Sequence, residues 1–335
     1  MELDDSENQI KNNQKTSRGR ERRHVAILTP FQNTGTEVAA LIGILAFGLL
    51  LRLVQYMRFK YPGGPDLFFF LSYMKNIEEF FRNVQPYPFF FPLFSRALQK
   101  IFKLSDQRLL LIGAVPDLIT GLIAYFFTRI YFGVLASLAA LALFITTPAL
   151  VHQSTFGPRS MGLLLYSSSL LVLTLPFPLN GFSILFVSLT ALTHKLSIQT
   201  LFFVFLVYGF FDLTALFYFA LGLLLAFALS KMKYYAVFHF HLSYVKLMMT
   251  KPEARYPNKE LLMFANVPYA VLAPLAIVIL LPETTSKITL DSLNVLVVAF
   301  WHQPVGRLLL VWASIPFLLV FLWRWGDSNR YIIYS

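Results

Sequence analysis

Between residues 38 and 229 the chain is a succession of apolar runs, broken by one longer charged and proline-rich segment at 61–94 and otherwise by short polar stretches. No soluble fold has an interior large enough to bury such a succession, so the solvent for most of these residues is lipid. Composition carries the same message. Of 335 residues, 57% are hydrophobic, 35 are Phe, and only 13% are charged, about half the usual globular share. The absence of Cys excludes a disulfide scaffold and a thiol enzyme. Lys and Arg outnumber Asp and Glu by 28 to 17. In a membrane chain that excess belongs to topology-setting loops and anionic lipid phosphates rather than to nucleic acid.

Residues 1–36 read as a disordered basic tail. Lys11, Lys15, Arg18, Arg20, Arg22 and Arg23 crowd ahead of the first apolar run, opposed only by Glu21. By the positive-inside rule this tail is cytoplasmic. The rest, 37–335, reads as one transmembrane module. Its first span covers 38–56. Residues 61–94 form an outer loop that carries Lys75, Glu78, Glu79, Arg82 and five prolines. Aromatics and charges fall on opposite sides of its middle, which predicts amphipathic helices lying in the membrane interface. Further spans are expected at 109–127, 133–147, 161–175, 182–193, 200–211 and 213–229. A polar loop follows at 231–263, and spans resume at 264–281 and 308–323. Residues 290–301 read as either a short span or an interfacial helix. The expected fold is all-α: a polytopic bundle of about 9–10 transmembrane spans. Several runs are only 12 to 15 residues long, which predicts helices that dip around an internal cavity. The localisation expected is a multi-pass membrane protein, in a prokaryotic plasma membrane rather than the ER.

Alternation from a cytoplasmic N-terminus brings three polar segments to the outer face: the loop around Asp66, the loop 152–160 and the His194-Lys195 turn. Turns 128–132 and 176–181 fall inside. Asp66 follows Gly63-Gly64-Pro65. It reads both as a helix N-cap and as a carboxylate with raised pKa beside apolar residues, fit for general-base work; the roles are compatible. His194 and Lys195 interrupt an apolar stretch, where charge usually marks function. Lys195 reads either as a phosphate contact or as a side chain snorkelling to the headgroups. Arg159 and His152 flank Pro158, and Arg159 suits a bidentate grip on phosphate or a solvated loop. Asp117, after Pro116, reads as a cavity carboxylate or as half of a structural ion pair. His239 and His241 lack a carboxylate or Cys nearby, so no metal site is expected. P-loop, HExxH, GxSxG and Rossmann signatures are missing.

One order of motifs runs through the chain: GGPD in the first loop, then QPYPFFFPLFSRAL, VPDLITGLIAYFFTRIYFG, and LAALALFITTPALVHQSTFGPRSMGLLLYSSSLLVLTL. LTALTHKLSIQTLFF follows, with WGDSNRYIIYS at the end. This order resembles the polytopic GT-C class of glycosyltransferases, which use polyprenyl- or dolichyl-phosphate sugars. The resemblance spans roughly residues 38–230, and the last ten more loosely. It implies that Asp66 acts as base or orients the acceptor, and that Lys195 holds the donor phosphate, with His194, Arg159 and Arg330 as further contacts. GGPD holds one acid where metal-dependent subclasses have a pair, so no cofactor and no metal are expected. The class usually continues past the point where this chain stops, which implies a minimal module, a fragment, or a chain with a partner subunit.

The function expected is a membrane glycosyltransferase of hexosyl type. It moves a sugar from a polyprenyl-phosphate donor to a glycan, lipid or protein acceptor hydroxyl at the outer face, with inversion. Its partners are membrane lipids and the donor, not nucleic acid. Two alternatives stand beside it: a transporter or flippase for a lipid-linked or anionic substrate, and a non-catalytic subunit with a GT-C-like fold.

Overall fold

The structure is a computed structural model. It describes residues 35–58, 64–83, 86–111, 113–147, 157–250, 306–308 and 311–312. The expected spans at 264–281 and 290–301, the 152–156 stretch and the final segment lie outside the described residues, as do most of 308–323 and the tail. Two compact units divide at Gly43 and Ile44, and of the first the described part is the opening of the first helix.

The described residues are helical, without a strand, as the all-α reading expects. The helices are α1 Gly35–Arg58, α2 Gly64–Lys75, α3 Ile77–Asn83, α4 Phe90–Phe102, α5 Asp106–Leu111 and α6 Ala114–Thr146. After them come α7 Pro158–Leu173, α8 Phe182–Thr193, α9 Lys195–Tyr208, α10 Leu213–Leu229 and α11 Lys233–Thr250. Among the described residues one helix is long and apolar enough to cross a membrane by itself, Gly35–Val54. α10 and the start of α11 pass that test together, bent by 119°.

Two boundaries differ from the sequence reading, and one break agrees with it. The spans expected at 109–127 and 133–147 correspond to the two arms of α6, the first beginning at Ala114, with a kink between them at Gly133, where φ is 83°. The chain reverses there. A Cβ added at Gly121 would lie 3.0 Å from Leu141 Cδ1 and 3.3 Å from Ile145 Cγ1. In a straight helix residues that far apart are about 30 Å or more from each other. Glycine alone takes that dihedral without strain. α9 starts at Lys195, five residues before the expected 200, because His194 caps it. Residues 233–250, read as part of a polar loop, form α11. Tyr234 and Val237 turn inward while Tyr235, Phe238 and His239 stay exposed, so one face of the helix is buried and aromatics stand on both.

Helices α7 to α10 pack up and down. Ser169 and Ser183 hydroxyls meet at 3.2 Å, and a Cβ at Gly162 would lie 2.6 Å from His194 Cβ, so α7 and α8 are antiparallel. Phe202 and Phe205 pack on Phe219, and Gly209 approaches Leu216, so α9 and α10 are antiparallel as well. The core runs along this bundle through Tyr166, Leu170, Val187, Leu201, Phe205 and Phe219. A second cluster of Phe70, Met74, Phe91, Leu109 and Met161 seats α2 against α4, α5 and the head of α7.

Candidate functional site

The head of the bundle is built around the break between α8 and α9. Thr193 ends α8, and His194 turns extended, at φ −147° and ψ 125°. Its ring takes over the cap of α9: Nδ1 accepts the Ser197 N–H at 3.3 Å and lies 2.9 Å from Ser197 Oγ. The ring is buried, and Gly162 of α7 leaves the space it needs. His194 therefore satisfies helix donors that have no partner in the preceding turn.

This cap aims the next residue. The Lys195 ammonium lies 4.4 Å from the centroid of the Phe240 ring and 4.8 Å from that of Tyr87. Among the described residues no carboxylate pairs with it. Two aromatic faces stabilise a cation but accept no hydrogen bond from its N–H groups in the way an anion does. Beside it, His241 Nε2 lies 3.2 Å from Gln199 Oε1.

Tyr87 is fixed from the other side. It sits in the QPYPF stretch, whose prolines hold the backbone extended. Its carbonyl accepts the Tyr73 hydroxyl at 2.8 Å, and its ring meets Phe69, Phe70 and Tyr73 edge-on at 5.5–6.4 Å. Those three residues lie on one stripe of α2. Asp66 falls in the first turn of that helix, three residues before Phe69; its side chain lies outside the described part. Two exposed ion pairs brace the assembly. Lys75 Nζ lies 3.0 Å from Asp106 Oδ2, and Lys233 Nζ donates to Glu78 Oε1 at 2.6 Å. Burial raises the Tyr73 phenol, so the hydroxyl stays protonated and keeps donating.

The chain matches no known protein family, no curated protein and no solved structure.

The residues singled out from sequence divide into three groups. Lys195, His194 and Arg159 share the head of the bundle: Arg159 stands in the first turn of α7, three residues before Gly162. Asp117 belongs elsewhere. Its Oδ2 lies 3.7 Å from Arg52 Nε, with both side chains buried, at 2% and 0% exposure. Arg52 Nη1 also donates to the carbonyls of Gly48, at 3.1 Å, and Ile145, at 3.2 Å. Asp117 thus forms the ion pair that was one of its two readings. His152 and Arg330 lie outside the described residues.

Sequence reasoning missed Arg52, Tyr87, Phe240 and Gln199. Arg52 was findable as a lone charge in LLLRLVQ, the kind of residue that needs a partner in an apolar setting. Tyr87 and Phe240 carry no such signal, since the chain is full of aromatics.

Proposed function

We propose that this chain is a multi-pass membrane protein with a cytoplasmic N-terminus, and a glycosyltransferase using a polyprenyl-phosphate sugar. The observation that carries the reading is Lys195. Its ammonium is half-buried on two aromatic faces with no described carboxylate, one of those rings packing on the helix that carries Asp66 in its first turn. A cation so placed has donor capacity left for an anionic ligand, and a lipid phosphate at the bilayer surface has the charge and the address to take it. In this reading Lys195 holds the phosphate oxygens and stabilises the charge that grows on them as the C1–O bond breaks. Asp66 accepts the proton of the acceptor hydroxyl, whose oxygen forms the new bond to C1 from the opposite side, with inversion. Arg159 is a second cation at the same end. His194 acts through the cap that aims Lys195 and is a positioning residue.

The experiment is turnover of radiolabelled polyprenyl-phosphate sugars by purified wild type, Asp66→Asn and Lys195→Ala. Wild type is expected to release sugar, Asp66→Asn to bind donor without turnover, and Lys195→Ala to lose donor affinity. Equal turnover by wild type and Asp66→Asn overturns the assignment of Asp66. A second reading, a non-catalytic subunit, draws on a specific observation: Asp117 and His194 are both engaged in structural contacts. Donor binding without turnover by any form supports it.

A further inference from the structure

The up-and-down order of α7–α10 gives the bundle two ends. Arg159, His194 and Lys195 stand at one. At the other are two turns, 174–182 and 209–213, where the Tyr218 hydroxyl donates to Asn180 Oδ1 at 3.1 Å. These turns have the wrong surface for water. Phe177 and Phe210 are each 82% exposed and Leu213 76%, with Leu179 and Phe182 about half exposed. Asp212 and Arg307 stand at these turns. The Asp212 carboxylate accepts the Thr214 N–H at 3.0 Å, and the Arg307 guanidinium lies over Phe211, 5.4 Å from the ring centroid.

The turn backbones also satisfy themselves. Leu179 and Asn180 donate to Pro176 O at 2.9 and 3.4 Å, and Gly181 donates to Pro178 O at 3.1 Å. Gly209 donates to Phe205 O at 2.8 Å, while Phe211 and Asp212 donate to Tyr208 O at 2.8 and 3.1 Å. Irregular backbone in hydrocarbon has to pair such groups internally, and these turns meet that requirement. Length points the same way. α8 has 12 residues and α9 has 14, so they rise about 18 and 21 Å, against about 30 Å of hydrocarbon. With the Lys195 end at one membrane surface, the opposite turns finish among the acyl chains.

We propose that this turn end of the bundle is inserted in lipid: Phe177, Leu179, Phe182, Phe210 and Leu213 pack on acyl chains of the far leaflet. The inference rests on the membrane reading above, and one test separates the two. The chain is free of Cys, so any introduced thiol is unique. Full-length F177C and F210C are spin-labelled in phosphatidylcholine vesicles, with F47C on α1 as the lipid reference and K100C on α4 as the water reference. The expected result is relaxation of labels 177 and 210 by oxygen as strong as at 47, and relaxation by a water-soluble nickel chelate several-fold weaker than at 100. Nickel access at 177 and 210 matching that at 100, with 47 still in lipid, overturns this proposal alone. Labels screened from both reagents mean that protein covers the turns, which also overturns it. Nickel access at 47 overturns the membrane reading and this proposal with it. L213C replaces F210C if the latter disturbs its turn.

Discussion

Two cations sit in apolar surroundings, and they are served differently. Arg52 has a carboxylate at 3.7 Å and two backbone carbonyls, and these contacts bind α1 to both arms of the reversed α6. Lys195 has two ring faces and no described carboxylate. The first charge is cancelled by a neighbour and closed off from solvent. The second is stabilised by the rings, without a carboxylate among the described residues. A buried charge without its counterion costs several kcal/mol, so the protein supplies one where the role is architectural. In the proposed function the counterion of Lys195 arrives as a ligand, and none of the described residues takes its place.

The largest effect expected from this contrast is at Asp117. Asp117→Ala leaves Arg52 buried without its carboxylate and is expected to cost about 3–5 kcal/mol. Thermal or denaturant unfolding in detergent reads that loss. Adding Arg52→Met to Asp117→Ala should recover most of it, because an apolar pair of similar volume replaces the ion pair at little net cost. Lys195→Met should behave oppositely. It forfeits a cation–π contact of about 0.5–2 kcal/mol but relieves the desolvation of the ammonium, so stability stays close to wild type while lipid-phosphate binding falls. The comparison breaks if Lys195→Met destabilises as much as Asp117→Ala, or if it binds donor normally.

Intermediate effects are expected where the head of the bundle is packed tightest. A methyl group at Gly162 would stand 2.5 Å from Ser197 Oγ and 2.6 Å from His194 Cβ. Gly162→Ala should therefore cost about 1–3 kcal/mol by overpacking and lower donor affinity, since it moves the residue that aims Lys195. His194→Ala removes the cap, worth about 0.5–2 kcal/mol, and also empties the space of a buried ring. His194→Asn should return most of the cap's share, because Asn caps helices well. If Asn restores stability but not donor affinity, His194 touches the ligand and is more than a cap.

The legible parts of the fold were those set by local chemistry. The bounds of α8 and α10 coincide with the expected 182–193 and 213–229, because His194, Asp212 and Ser230 interrupt the apolar pattern at their ends. The break at Gly133 was readable as the gap between two expected spans. α11 was hidden by its composition: basic and aromatic residues alternate too closely for a clean apolar run. The candidate site was half legible. A Lys inside LTALTHKLSIQTLFF is conspicuous, but the rings beneath it come from distant segments. Asp117 was visible, and so was the Arg52 charge. That they face each other depends on α6 folding back, which a sequence pattern does not state.

The smallest effect belongs to the exposed pair of Glu78 and Lys233, which joins α3 to the first turn of α11, the helix that carries Phe240. The hydrogen bond and charge of Lys233 hold the Glu78 carboxyl below its ordinary value, with a lesser pull from Arg82. A depressed folded-state value means that the pair contributes above the ordinary glutamate pKa of about 4.3 and is lost as pH falls through the lower folded value. The difference in melting temperature between wild type and Glu78→Gln should thus be small near neutrality and vanish as acidification passes the lowered value of Glu78. It should also shrink at about 1 M salt, where screening reaches about 3 Å. A gap that widens in acid would mean that Glu78 is stabilised as the neutral acid, contrary to its geometry. Because this pair is solvated, Glu78→Gln should change donor affinity far less than Lys195→Met. An equal loss in the two variants would make the brace part of the site, and would show that Phe240 holds Lys195 only while α11 is anchored to α3.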